Sequence, residues 1–118
     1  MLFKTKTSYD VGLLAELRAR MFLRLRGFRI LETRYITGRN TNRAEIDIIA
    51  RRKNLIVFVE VKSRSDIPTA WDAITARQSR RLRSAAETYL ARTRWNGDAR
   101  FDVIIVCGAK IHWVRGAL

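Results

Sequence analysis

Residues 44–64, AEIDIIARRKNLIVFVEVKSR, constrain the fold more than any other stretch. LIVFV (55–59) has the β-branched and aromatic content of a buried strand. Ile46, Ile48 and Ile49 mark a partner strand, and Arg51 to Asn54 supply a tight polar turn between the two. Side chains alternate along a strand, so Ile56, Phe58, Glu60 and Lys62 share one face while Val57, Val59 and Val61 share the other. One face therefore passes from apolar to charged at the strand's end. With Lys53 and Asn54 as a two-residue loop, Arg52 pairs with Leu55, Asp47 falls opposite Glu60, and Glu45 opposite Lys62. A four-residue loop slides this pairing by two but keeps Asp47 and Glu60 as neighbours on one face. Directly opposed residues have Cβ atoms about 4.5–5.5 Å apart, and like charges there repel. A shared proton, Lys62 or a divalent cation would offset the repulsion. Two hard carboxylates at a strand end suit Mg²⁺, which is typically held by one or two carboxylates with waters and substrate phosphate.

The rest of the chain reads as one domain over residues 1–118, with 1–8 as a basic N-terminal arm. Ser8 or Asp10 can cap a helix that runs to Arg26, with Gly27 as its stop. Leu14, Leu17, Met21 and Leu25 form its apolar stripe. Glu16 lies beside that stripe on a line with Gly12, Ala19 and Leu23, where small neighbours would let the backbone approach a sheet and aim Glu16 into the gap. The plainer reading is a half-exposed Glu16 paired with Arg20 one turn on. FRILETRY (28–35) is a strand, and ITGRNTNR (36–43) a turn carrying Arg39 and Arg43. A loop containing the single proline follows the hairpin. A second helix is expected from about Trp71 to Thr93, with Ile74, Leu82, Ala86 and Leu90 inward and Gln78 at the missing step of that row. A buried Gln78 needs a partner, either in a site or on a backbone carbonyl. RFDVIIV (100–106) and IHWVR (111–115) are the last strands. A strand, a long helix and another strand is the pattern of a crossover between parallel strands. The order α-β-β-β-α-β-β predicts a mixed α/β sheet flanked by helices.

Charge narrows the function. The net charge is +13, and 19 of the 24 basic residues are Arg, whose planar fork binds phosphate bidentately. A polyanion, most commonly nucleic acid, is the partner this implies; a merely solvated basic surface is the bland alternative. Arg77, Arg80 and Arg81 form a strip on the second helix, and Arg39, Arg43 and Arg64 are the other candidate phosphate contacts. The lone Cys107 excludes a disulfide framework and fits a reducing compartment, and His112 has no Cys/His cluster around it for zinc. With no signal-peptide core and no apolar run of about 20 residues, the expectation is a soluble cytoplasmic protein without a membrane span. Glu16, Glu45, Asp47 and Glu60 can converge at one end of the sheet. An acidic pocket in a basic protein is the arrangement metal-assisted phosphodiester hydrolysis requires, with Lys62 acting on the attacking water or the developing oxyanion.

At these residues the chain resembles the PD-(D/E)XK nuclease superfamily: Asp47 followed by Glu60-Val61-Lys62 matches D…ExK, and Glu16 matches the acid often found on the first helix. More closely, GLLAELRARMFLRLRGFRIL, AEIDIIA, FVEVKSR and RFDVI resemble the YraN family, predicted endonucleases similar to archaeal Holliday-junction resolvases. Ala44 stands where that family usually has Gly, and Gln78 where it usually has a basic residue. The resemblance implies a restriction-endonuclease-like fold and a DNA endonuclease acting on branched or single-stranded substrate. It implies Mg²⁺ or Mn²⁺ on Asp47, Glu60 and the Val61 carbonyl, with Glu16 holding a second ion or a metal water. Lys62 and Gln78 would complete the catalytic group, and Glu45 would be a supporting acid or the partner of Lys62. Two cuts at a junction would need two sites, hence a homodimer. The alternative is a nucleic-acid-binding module that keeps the fold without turnover.

Overall fold

A computed structural model describes residues 8–38, 43–64 and 76–117. Helix α1 spans Ser8–Leu25, followed by β1 (Arg29–Thr37), β2 (Ala44–Arg52) and β3 (Leu55–Ser63). Among the described residues, helix α2 (Ala76–Thr93), β4 (Asp98–Cys107) and β5 (Lys110–Val114) follow. The five strands form one sheet in sequence order. β3 and β4 run parallel and the other neighbours antiparallel, so the expected mixed α/β sheet with flanking helices is what forms.

The hairpin adopts the register read from its loop. Arg52 pairs with Leu55 and Ile48 with Val59, and Lys53 takes the left-handed backbone (φ 54°) that turns the chain. The two faces of β3 separate as alternation requires. Val57 and Val59 join Ala15, Ala19, Leu23, Phe28 and Ile104 in the core beneath α1. Ile56 and Phe58 join Ile46, Ile49, Leu82, Ala85, Ala86 and Tyr89 beneath α2. The α2 stripe is thus wider than the expected row, because Ala85 and Tyr89 turn inward with Leu82 and Ala86.

α1 corrects the sequence reading. Leu14, Leu17, Met21 and Leu25 are not its core stripe: they are 42%, 41%, 53% and 83% exposed, whereas Ala15, Ala19 and Leu23 are buried. The helix lies against the sheet by its small residues, which let the backbone come close, and leaves its bulkier row outside. Its end is built locally. Phe28 N–H donates to Leu23 O and Gly27 N–H to Arg24 O, both at 3.0 Å, the double bond of a Schellman cap. Gly27 supplies the left-handed residue (φ 86°), and Phe28 drops onto Leu23 in the core.

β1 is irregular at two points, opposite Ile49 and Ala50 and again beside the acidic end of β2. Its register shifts between Ile30 and Glu32, and Arg34 has φ 52°, unusual for a residue with a side chain. Thr33 pairs with Ile48 and Tyr35 with Ile46, which sets Arg34 across from Asp47.

Candidate active site at the acidic end of the sheet

The β2–β3 ladder ends at Ile48–Val59, one pair short of the two acids. Past that point the side chain of Asp47 replaces the backbone: its Oδ2 accepts the Val61 N–H at 2.7 Å. Two carboxylates squarely opposed would repel, and this bond holds Asp47 against β3 while the main chains part. Glu45 is exposed on the separated segment and is not the partner of Lys62. That partner is Glu60, two residues earlier on the same strand face, with Lys62 Nζ 3.1 Å from Glu60 Oε1. Gln78, from the first turns of α2, donates through Nε2 to the same oxygen at 3.4 Å. The inward Gln78 therefore serves this carboxylate. Among the described residues no amide, ammonium or hydroxyl donor reaches the buried Glu60 Oε2, and the protonated Asp47 carboxyl is a hydrogen-bond partner of Glu60.

Burial dominates the electrostatics. It pushes the Asp47 carboxyl up to about 8, helped by the charge of Glu60 and opposed by the Val61 N–H. Burial also raises Glu60, against the pull of the Lys62 ammonium. Glu16 and Glu45 add to the negative field at Asp47. The protein thus holds two acids in a place that resists their ionisation, with a hydrogen bond between them. Further positive charge between the two acids would favour their ionised forms.

Asp47, Glu60 and Gln78 open onto a cavity of about 660 Å³ whose lining includes Glu45, Arg43 and Arg81. Lys62 and Arg64 line a second, of about 390 Å³, beside Gly12 at the start of α1. Arg80 is exposed on α2. Arg39 and the side chain of Arg77 lie outside the described residues. Glu16 is brought near but is engaged elsewhere: its Oε2 meets Arg34 Nε at 3.1 Å, so the expected pairing with Arg20 gives way to one across to β1. Among the described residues no three of His, Cys, Asp and Glu stand together as a ready cage for an ion. Asp47 and Glu60 would need water to complete a shell, the habit of Mg²⁺.

Two charged residues escaped the sequence reading. Arg34 was one of many arginines, and only the kink in β1 directs it to Glu16. Asp102 is fully buried on β4 and accepts from Arg100 Nε (2.7 Å), Arg100 Nη2 (2.8 Å), Trp113 Nε1 (2.9 Å) and the Gly116 N–H (3.0 Å). An acid inside an apolar run, two residues after an arginine, was the available signal. It ties β5 and the chain beyond it to β4.

Residues 15–106 match the family described as "Uncharacterised protein family UPF0102". The chain belongs to UPF0102. That supports the YraN-type resemblance at the level of family. A UPF0102 protein of Bradyrhizobium diazoefficiens is 42% identical over 101 residues, covering 84% of this chain and 73% of its own. One of Agrobacterium fabrum is 42% identical over 102 residues (85% and 80%), and one of Shewanella frigidimarina 41% over 109 residues (89% and 95%). The matched segment of this UPF0102 chain contains Glu16 and every acid at the sheet's end. Among the described residues, no helix is long and apolar enough to cross a membrane.

Proposed function

We propose that the acidic end of the sheet is the catalytic centre of a metal-dependent endonuclease that hydrolyses phosphodiester bonds in DNA, with a cytoplasmic site of action. The observation that carries this reading is the convergence of two buried carboxyls, Asp47 and Glu60, whose ionisation burial opposes. A divalent cation satisfies both. Asp47 and Glu60 fit Mg²⁺ or Mn²⁺, with the Val61 carbonyl next to them; drawing in Glu16 requires its ion pair with Arg34 to open. Such an ion supplies a water of lowered pKa and positive charge for the phosphoryl oxygens. The chain's own groups do the rest. Gln78 and Lys62 hold Glu60 through one oxygen, Oε1. The Lys62 ammonium also offers a proton and a charge where negative charge develops. Arg43 and Arg81 on the cavity rim attract the sugar-phosphate backbone. The resemblance to PD-(D/E)XK nucleases and archaeal resolvases supports this reading, since the D…ExK residues are those the fold gathers.

The pairing of Glu16 with Arg34 favours a second reading, a nucleic-acid-binding module without turnover. An assay separates the two. Mg²⁺- or Mn²⁺-dependent cleavage of single-stranded, duplex or branched DNA is expected, abolished in Asp47→Ala and Lys62→Ala while binding persists. Cleavage that survives in those variants overturns the assignment. Binding of all three DNAs with no cleavage of any favours the module.

A further inference from the structure

The end of the sheet away from the acids is strongly basic. Six exposed cations gather at the β2–β3 turn: Arg26 just past α1, Arg29 at the start of β1, Arg51, Arg52 and Lys53 at the turn itself, and Arg94 just past α2. Named contacts place them together. Arg29 pairs with Arg51 across the ladder, Arg52 Nη1 donates to Arg26 O at 2.9 Å, and Arg51 lies over the ring of Trp95, the neighbour of Arg94, at 4.6 Å. Arg26 stacks on Phe22 at 3.5 Å and Arg52 on Phe28 at 4.4 Å. None of the ion pairs among the described residues involves these six. With Asp98 and Glu32 at its edges, the patch keeps a clear positive surplus. Arg29 directly opposite Arg51 sets like charges together, which repel, and an anion between them would relieve that.

We propose that this turn is a second contact for nucleic acid, gripping the sugar-phosphate backbone at a point remote from the acidic site. Five residue steps along β3 separate Leu55, at the turn, from Glu60, about 17 Å at 3.3 Å per residue. At one phosphate per 3.4 Å of strand, a molecule that meets both ends reaches at least about five nucleotides past the acids. Arginine suits the task. Its fork binds phosphate bidentately, and stacking on a ring fixes its plane while leaving N–H groups at its edge, so less freedom is lost on binding. Because the guanidiniums lie over Phe22, Phe28 and Trp95, the patch presents charge outward rather than rings, which suits a backbone in water better than insertion into lipid. The inference rests on nucleic acid as the partner proposed above, and not on cleavage.

The test is fluorescence anisotropy of a labelled DNA duplex of about 20 base pairs, long enough to span both ends, in EDTA and across salt concentrations. Without metal no cleavage intervenes, so the metal site stands or falls separately by calorimetry. One variant combines Arg51→Gln, Lys53→Asn and Arg94→Asn; Lys53 and Arg94 both have a left-handed backbone (φ 54°), which asparagine accepts. Its affinity should fall at least about 10-fold, and the slope of log K against log salt should flatten by about 2–3. Lys53→Asn with Arg94→Asn leaves the stacked guanidiniums in place and should give about two-thirds of that change in slope, which guards against a folding defect. A control, Arg83→Gln with Lys110→Gln and Arg115→Gln, removes equal charge from exposed positions away from the turn and should change affinity less than about 3-fold. An equal fall in the control overturns the proposal, because charge would then act at a distance. So does a turn variant that binds as the wild type does, or a wild type that binds no duplex. A turn variant that keeps duplex binding but no longer binds anionic phospholipid vesicles assigns the turn to a membrane and overturns it equally.

Discussion

Asp47→Asn should stabilise the metal-free protein at neutral pH and do little in acid. The folded protein holds the Asp47 carboxyl at about 8 against an ordinary 3.8, so folding opposes its ionisation. The sign follows directly. A pKa raised on folding contributes stability that is fully present below the unfolded value and lost as pH climbs from about 4 to about 8. Within that window each pH unit costs about 1.4 kcal/mol, so two units between pH 5 and pH 7 cost about 2.7 kcal/mol from Asp47 alone. Glu60 is raised as well and adds to the slope. Asparagine cannot ionise. Its Oδ1 can still accept the Val61 N–H, and its amide can donate toward Glu60. Urea unfolding in EDTA at pH 5 and pH 7 should show wild-type stability falling over this range and the variant's falling less, the gap widening by about 2–3 kcal/mol. An equal gap at both pH values, or a variant less stable at pH 7, would refute the claim that burial governs this carboxyl.

Two further substitutions examine the frame around the site. Asp102→Asn removes the charge that gathers Arg100, Trp113 and the Gly116 N–H; denaturant unfolding should show a loss of about 3 kcal/mol, and an unchanged stability would deny that Asp102 ties β5 to β4. Ala19→Leu adds three carbons where α1 meets the sheet with no free surface, and should cost about 1–3 kcal/mol by melting or urea. A neutral result would mean that small residues are not what brings α1 close.

The hairpin was legible because two independent signals agreed. Alternation assigned the faces of β3, and the two-residue turn set the register, so Asp47 and Glu60 could be brought together from residue numbers alone. Gln78 was legible as an inward amide, though the carboxylate it meets lies on another element. The orientation of α1 was not. It carries a bulky apolar row and a small-residue row, and period alone favours the bulky one. The sheet instead selects the row that allows closest approach, a tertiary effect no helical pattern expresses. Glu16's partner was hidden for a similar reason. Arg34 is 18 residues away and reaches Glu16 from β1 where its backbone turns left-handed. The end of the β2–β3 ladder was hidden too, because it depends on a side chain taking over a backbone hydrogen bond.

Titration calorimetry of Mg²⁺ and Mn²⁺ into the wild type and Asp47→Asn, repeated in buffers of different ionisation enthalpy, asks whether Asp47 and Glu60 bind a divalent cation. Binding to the wild type is expected with proton release at pH 6–7, because a cation must displace the proton that burial keeps on Asp47. Both the binding and the proton release should disappear in Asp47→Asn. Binding unchanged in the variant, or no binding to the wild type even with DNA present, would contradict a cation site at these acids.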